Sequence, residues 1–471
     1  MFLFKIDNEI KDQYKYQQIY TNFKELILNR TILPGEKLPP KRKLAKDLKV
    51  SINCVANAYE QLLAEGYINA VERSGYYVED IAQFANKAKQ DEVGQFPEDL
   101  KEEEESKEGV LSLSHMATDL SLFPFNEWLK SEKIAFNAHM EDMSHISHPQ
   151  GPYKVRATIA RLISLNRGVS CRPEQIVIGP GTQPLMRQIL TMGSEFKSAG
   201  IENPGYHRMY KLFEGLGLDV AAITLDEAGV DIAEVKQKNP NILFITPSHQ
   251  FPTGKIMPIS RRIELLNWAS EADDRYILED DYDSEFKYGT DNIPSLQSLD
   301  RNNKVIYSGT FSKTLSSSLR ISYMVLPPNL LKKYRETYST WIQGSSTLNL
   351  YTLNYFIENG EYAKHLKRLN MHYEKIRSKF IADLKKAFGK QVFIYDIPAG
   401  LHFYAEFETK KTYIEIEAAA ERERLEVYTM RRFDLANRSP ESERIGMALG
   451  FAKLNEENIK EAVDTLKKII I

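Results

Sequence analysis

Cysteine is nearly absent: the 471 residues contain two, Cys54 and Cys171, far apart and without metal-ligand spacing. Neither a disulfide framework nor a zinc site is therefore expected, no metal of any kind is called for, and both thiols read as buried small hydrophobes. Long apolar runs are also missing, so no membrane-spanning helix is expected. The start, MFLFKIDNEIKDQ, turns charged at once instead of continuing into a signal-peptide core, which places the protein in the cytosol by expectation. Net charge is only −3, so no overall field draws the chain to nucleic acid, and no internal repeat is visible. What is present is a 42% apolar fraction, enough to fill two or three cores in a chain of this length.

Charge is uneven locally. From Arg30 to Val50 seven basic residues face two acids, whereas from Glu79 to Glu108 eleven acids face four lysines. The second stretch has little apolar periodicity and reads as a solvated linker over 81–109, with an exposed helix over Asp80 to Gln90 as the alternative.

Before the linker, Ile19, Phe23, Leu26 and Ile27 recur at helical spacing, and LPGEK supplies a turn. Lys41 to Leu48 predicts a second helix with Leu44, Ala45 and Leu48 inward. Ser51 can cap a third helix, whose inner face is Val55, Ala58, Tyr59, Leu62 and Leu63 and which stops at Glu65-Gly66. Two β-prone runs, Tyr67 to Ala70 and Tyr76 to Val78, flank a Glu-Arg-Ser-Gly turn. Residues 1–80 thus describe a winged helix-turn-helix, whose last helix enters the DNA major groove. Ser51, Asn53 and Asn57 on its outer face suit base edges, whereas Lys41, Arg42, Lys43 and Arg73 suit phosphates. A small helical domain with an ordinary lysine-rich surface is the plainer alternative. The segment from YQQIY to GYYV resembles the GntR-type DNA-binding domain over its whole length. Pro40 stands where that family commonly has Ser, and Ile52 where it commonly has Arg, which implies an altered operator preference.

After Glu108, apolar strands alternate with helical patterns, the wiring of an α/β domain whose ligands gather at the carboxyl ends of strands. Ile176 to Ile178 is followed by Gly-Pro-Gly-Thr-Gln and a helix, so bare amides at Gly181, Thr182 and Gln183 can face a phosphate. A Gly-rich turn alone is weak evidence. Tyr276 to Leu278 runs into Glu279-Asp280-Asp281-Tyr282, a carboxylate cluster needing a cationic partner such as a protonated pyridine. An exposed acidic turn or a divalent-metal site would read the same way. Val305 to Tyr307 leads into Ser-Gly-Thr310-Phe-Ser312-Lys313, with Arg320 seven residues on. A lysine amine with a lowered pKa condenses with aldehydes, and Thr310, Ser312 and Arg320 suit the accompanying phosphate.

Taken together, GTFSKTL…LRISY, EDDYDSEF, TPSHQFPTGKIMP and HPQGPYKVRATIARLI, in that family's order, resemble fold-type-I pyridoxal-phosphate (PLP) aminotransferases. The likeness is to their MocR branch, regulators fused to a GntR-type reader, and most of all to members responsive to γ-aminobutyrate. The resemblance implies a PLP-binding domain over 110–471, larger part about 150–330 and smaller about 331–471, acting as a homodimer. It implies Lys313 as the internal aldimine, Asp280 as the pyridine-nitrogen partner, Tyr282 as donor to the ring hydroxyl, and Tyr206 and His249 beside the cofactor. Arg208 would line the effector pocket, and Arg432, or Arg431 next to it, would pair with the effector carboxylate. SSSLR where PGLR is common implies a looser phosphate loop, and His207 where an Arg is common implies a retuned pocket. The expected function is transcription regulation gated by external aldimine formation with an amino acid, on a double-stranded operator. A working aminotransferase with an accessory DNA-binding domain, and a reader whose second domain only dimerises, are the competing readings.

Overall fold

The computed structural model describes residues 4, 6, 14–81, 97–101, 109–193, 196–289, 293–436 and 444–471, in two compact units, Met1–Ser106 and Lys107–Ile471. Most of the acidic stretch expected as a linker, including the optional helix over Asp80 to Gln90, lies outside the described residues.

In the first unit, α1 (Lys15–Leu28), α2 (Lys41–Leu48) and α3 (Ile52–Ala64) precede an antiparallel hairpin of β1 (Ile68–Val71) and β2 (Gly75–Val78). Ile19, Phe23 and Ile27, one helical face of α1, share a core with Leu44, Val55, Tyr59 and Leu62. Lys49 in the left-handed region stops α2 and makes the short corner into α3. Ser51 then caps α3, its Oγ accepting from the Cys54 N–H at 3.2 Å, whereas Pro40 ahead of α2 offers no side-chain acceptor. Two expectations need correction. Leu63 is 38% exposed, because the buried stripe steps 55, 58, 59, 62 and carries position 63 past its edge. Cys54 and Cys171 are half-buried.

The second unit opens with β3 (Leu111–Ser112), α4 (Phe125–Ala138), the single turn α5 (Met140–Met143) and α6 (Tyr153–Arg167). Alternating segments follow: β4 (Ile176–Gly179), α7 (Thr182–Leu190), β5 (Ser198–Asn203), α8 (His207–Gly215), β6 (Asp219–Asp226), β7 (Gly229–Val230), α9 (Ile232–Lys238) and β8 (Ile242–Ile245). Then come α10 (Ile259–Ser270), β9 (Tyr276–Asp281), β10 (Val305–Thr310) and β11 (Ser322–Val325). These strands make one sheet in the order β4-β11-β10-β9-β8-β5-β6-β7, with β10, β9, β8, β5 and β6 parallel. β4 and β10 each pair antiparallel with β11 and so run the same way. Strands such as Ile242–Ile245 and Ile176–Gly179 are buried at every position, as a sheet covered on both faces requires.

Helices α11 (Pro328–Thr337), α12 (Thr347–Glu358) and the 28-residue α13 (Glu361–Phe388) lead to a smaller antiparallel sheet. There β12 (Val392–Tyr395), β13 (His402–Glu408), β15 (Tyr428–Thr429) and β16 (Arg444–Gly450) order as β12-β13-β16-β15, packed with α14 (Tyr413–Arg422) and α15 (Ile459–Ile470). β14 (Leu425–Glu426) pairs parallel with β3, which ties the start of this unit to its end. No helix among the described residues is long and apolar enough to cross a membrane.

Candidate functional site

The carboxyl edge of the large sheet is where strand directions place the ends of β4, β9 and β10 and the start of α8 side by side. A cavity of about 200 Å³ opens there, and Gly181, Thr182, Gln183, Tyr206, Asp280, Tyr282, Thr310, Ser312, Lys313 and Arg320 all line it, with Arg208. Residues separated by up to 139 positions are thereby brought to one wall. The strand β9 extends to Asp281, so its alternation sorts the acidic run. Asp280 reaches the cavity, while Asp281 on the opposite face takes a 2.6 Å ion pair from Arg167 Nε and a 2.6 Å hydrogen bond from Tyr307. Glu279 is likewise turned away, accepting from the N–H groups of Leu296 and Gln297.

One end of the cavity is built for an anion. Gly181 has φ +122, and a β-carbon there would lie 2.9 Å from Cζ of Arg320 and closer still to its Nη2, so only glycine leaves room for the guanidinium. The free N–H groups opening α7, the Thr310 and Ser312 hydroxyls and Arg320 share that end. The serines at 316 and 318 hydrogen-bond each other at 2.7 Å, so the loop carrying Arg320 is braced from within.

The other end holds an acid and an amine. Burial pushes the Asp280 carboxyl up to about 7, against the neighbouring Ser308 hydroxyl and with help from nearby acids. Such a group calls for a cationic partner. Burial likewise lowers the Lys313 ammonium to about 8, although Asp283 pulls it upward. Lys313 Nζ donates to the main-chain carbonyl of His115, a residue the motifs did not indicate. Pairing of β3 with β14, and a 2.9 Å bond from Gly450 N–H to the Leu113 carbonyl, carry His115 into the cavity wall.

Cationic groups gather near the mouth. Burial, together with Lys313, Arg432, His207 and Arg208, holds the His115 imidazole well below its usual range; His207 is lowered by burial, Arg432 and Arg208. Arg432 lies 4.5 Å over the Tyr428 ring, which in turn sits 5.2 Å from the ring of His115. Arg431 is turned elsewhere, ion-paired to Glu417 at 2.6 Å. His249 also departs from expectation. It is buried behind Tyr282 and does not line the cavity; both oxygens of Asp283 hold its Nδ1, at 3.0 and 3.1 Å.

In the first unit, Ser51, Asn53 and Asn57 are exposed along the outer face of α3, and Arg42 and Lys43 are exposed on α2. Lys41 is partly covered, its Nζ 5.0 Å over the Tyr76 ring, and Arg73 stands at the tip of the hairpin, 93% exposed.

Comparison with known proteins adds two family matches: aminotransferase class I and II over residues 110–466, and bacterial regulatory proteins of the gntR family over 15–78. The HTH-type transcriptional regulator YdeL of Bacillus subtilis is 38% identical, covering 98% of this chain and 97% of its own. The probable rhizopine catabolism regulatory protein MocR of Rhizobium meliloti is 28% identical over 97% and 94%. Among solved structures, the α-aminoadipate aminotransferase LysN of Thermus thermophilus shares the fold at TM-score 0.67 and 24% identity, covering 77% of this chain and 92% of its own. That structure holds N-(5'-phosphopyridoxyl)-L-leucine.

Proposed function

Since the chain belongs to the aminotransferase class I and II family and, through its gntR-family head, to the MocR-type DNA-binding transcription regulators, we propose that its second unit is a PLP-dependent amino-acid sensor. The observation carrying this reading is the cavity at the sheet edge, where an anion cradle, a half-buried acid and a low-pKa lysine share one wall. These groups match the phosphate, ring nitrogen and aldehyde of PLP in chemistry and order. When bound, PLP would supply an aldehyde able to condense with a primary amine, that of Lys313 or that of an effector.

The chain's own residues account for the rest. Gly181, Thr182, Thr310, Ser312 and Arg320 hold the phosphate by bare amides, hydroxyls and a guanidinium. Asp280, half-buried in the cavity wall with its carboxyl raised to about 7 by desolvation, would supply the charge that opposes a protonated ring nitrogen. Tyr282 and Tyr206 bound the ring. Burial keeps a substantial neutral fraction of Lys313 near pH 8, and neutrality is what nucleophilic attack needs. Arg208 and Arg432 meet the effector's carboxylate, and the positive field at the mouth favours amino monocarboxylates, with γ-aminobutyrate or a similar ω-amino acid as the class. Occupancy then biases how the two readers of a homodimer engage two half-sites of a double-stranded operator. Lys41, Arg42, Lys43 and Arg73 serve phosphates there; Ser51, Asn53 and Asn57 serve bases.

The test is a panel of α- and ω-amino acids titrated into PLP-loaded protein while the visible absorbance of the cofactor is followed. Saturable change with ω-amino monocarboxylates is expected. A protein that takes up no PLP, or a spectrum no amino acid alters, would overturn the reading.

A further inference from the structure

His249 sits outside the cavity yet touches what lines it. Its ring is 3% exposed, and Nδ1 is shared with both carboxylate oxygens of Asp283 at 3.0 and 3.1 Å. The Tyr282 hydroxyl lies 3.1 Å from the same Nδ1 and 3.0 Å from the His249 carbonyl. Burial holds the Tyr282 phenol well above its usual pKa, so it keeps one hydrogen to give. Nδ1 carries a hydrogen, because the Asp283 atoms it meets are carboxylate oxygens, and that hydrogen is shared with the phenol oxygen, which leaves the phenol's own hydrogen for the His249 carbonyl or for a group in the cavity.

The packing fixes this arrangement from the far side. A β-carbon at Gly400, φ +71, would overlap the His249 imidazole and lie 2.5 Å from Asp283 Oδ2; one at Gly254, φ +74, would lie 3.2 Å from His249 Nε2. Main chain from both the 250s loop and the turn just before β13 is thus pressed against the pair, and the Leu401 N–H reaches Asp283 at 3.4 Å. Among the described residues His249 Nε2 is buried with no hydrogen-bond partner, so the ring's hydrogen bonds are made through Nδ1.

We propose that His249, anchored by Asp283, is a positioning residue that fixes the Tyr282 hydroxyl in the cofactor cavity. This rests on the reading of that cavity as a PLP site. His402 stands nearby, and the three side chains place one donor atom each within 4.8 Å of one another, the grouping a metal ion would also use. The direct His249–Asp283 contact favours the hydrogen-bonded relay, because a bound cation would stand between those two atoms.

The experiment uses full-length protein loaded with PLP, comparing Tyr282→Phe, His249→Leu, His249→Asn and the double variant Tyr282→Phe/His249→Leu. Tyr282→Phe sets the reference: a displaced visible band and PLP affinity weaker by about five- to tenfold, the scale of one oriented hydrogen bond. His249→Leu should reproduce that displacement. The double variant should add nothing, and His249→Asn, which keeps an N–H near the Nδ1 position, should restore the wild-type band. If Tyr282→Phe leaves band and affinity unchanged, the PLP reading of the cavity falls. If Tyr282→Phe moves them but His249→Leu does not, or its effect adds to that of Tyr282→Phe, the relay falls. Stoichiometric zinc in the purified protein, lost in His249→Asn, would also overturn it.

Discussion

Replacing Gly181 with Ala separates the cost of folding from the cost of binding at the phosphate end. Gly181 is at φ +122, and the added carbon would lie 2.9 Å from Cζ of Arg320. With ψ at 164, a β-carbon in that glycine-only region costs about 1–3 kcal/mol. The collision, however, is with the free end of an exposed arginine, so the guanidinium swings away while the main chain stays. Losing one charge-assisted contact to phosphate is worth about 1.5–3 kcal/mol, roughly a ten- to hundredfold rise in the Kd for PLP. Gly217→Ala is the control: its φ is +81 and, among the described residues, nothing beyond its chain neighbours lies within 4 Å of the added carbon, so it carries positive-φ strain without the collision. PLP titration by absorbance and thermal denaturation of both variants give the comparison. Both should lose a few degrees of Tm, and only Gly181→Ala should lose PLP. Wild-type PLP affinity in a folded Gly181→Ala would refute the assignment of Gly181 and Arg320 to the phosphate.

Charge reversal at Arg42 should weaken binding to all DNA and lower the salt slope by about one, whereas Asn57→Ala should relax sequence preference; equal loss of specific and non-specific binding in both variants, measured by anisotropy, would refute that division. Arg432→Ala should cost about 2 kcal/mol of effector affinity, the lower end for breaking a charge pair because this guanidinium is exposed, with PLP binding and Arg431→Ala near wild type; loss in Arg431→Ala alone, by titration of the cofactor spectrum, would move the role one residue. Glu202 is buried with its pKa raised to about 7 by burial, against hydrogen bonds from Thr246 and Gln250. A raised acid costs stability as pH climbs from its unfolded value near 4.5 through about 7, so Glu202→Gln should match wild-type Tm near pH 5 and exceed it at pH 8; a constant difference in Tm at both pH values would contradict this.

Periodicity made much of the fold legible. The second helix falls on Lys41–Leu48 as its pattern predicts, and the strands expected at 176, 242, 276 and 305 all form, because fully apolar runs bounded by polar residues have few other ways to be buried. Strand lengths were less legible. β9 runs through the acidic residues to Asp281, since Arg167 pairs with Asp281 and the Leu296 and Gln297 amides hydrogen-bond Glu279 on its far face. Alternation along that strand was the available signal for separating Asp280 and Tyr282 from their neighbours. Arg167 gave none, for its partner Asp281 is 114 residues away. His115 was equally hidden: it belongs to no motif and reaches the cavity only through pairing of β3 with a strand more than 300 residues on. The loop of His249 carries a family pattern, but a pattern marks proximity without saying which side of Tyr282 the ring occupies.

The central claim is that occupancy of the sheet-edge cavity changes DNA engagement. Its most direct test is operator affinity, measured by anisotropy at fixed salt, as an ω-amino acid such as γ-aminobutyrate is titrated into PLP-loaded wild type and into Lys313→Ala. The account predicts that affinity changes in wild type over the same concentrations that alter the cofactor spectrum. In Lys313→Ala, which binds operator but lacks the amine, it predicts no visible cofactor band and no such coupled response. An operator affinity that stays constant in wild type while the spectrum saturates would contradict it.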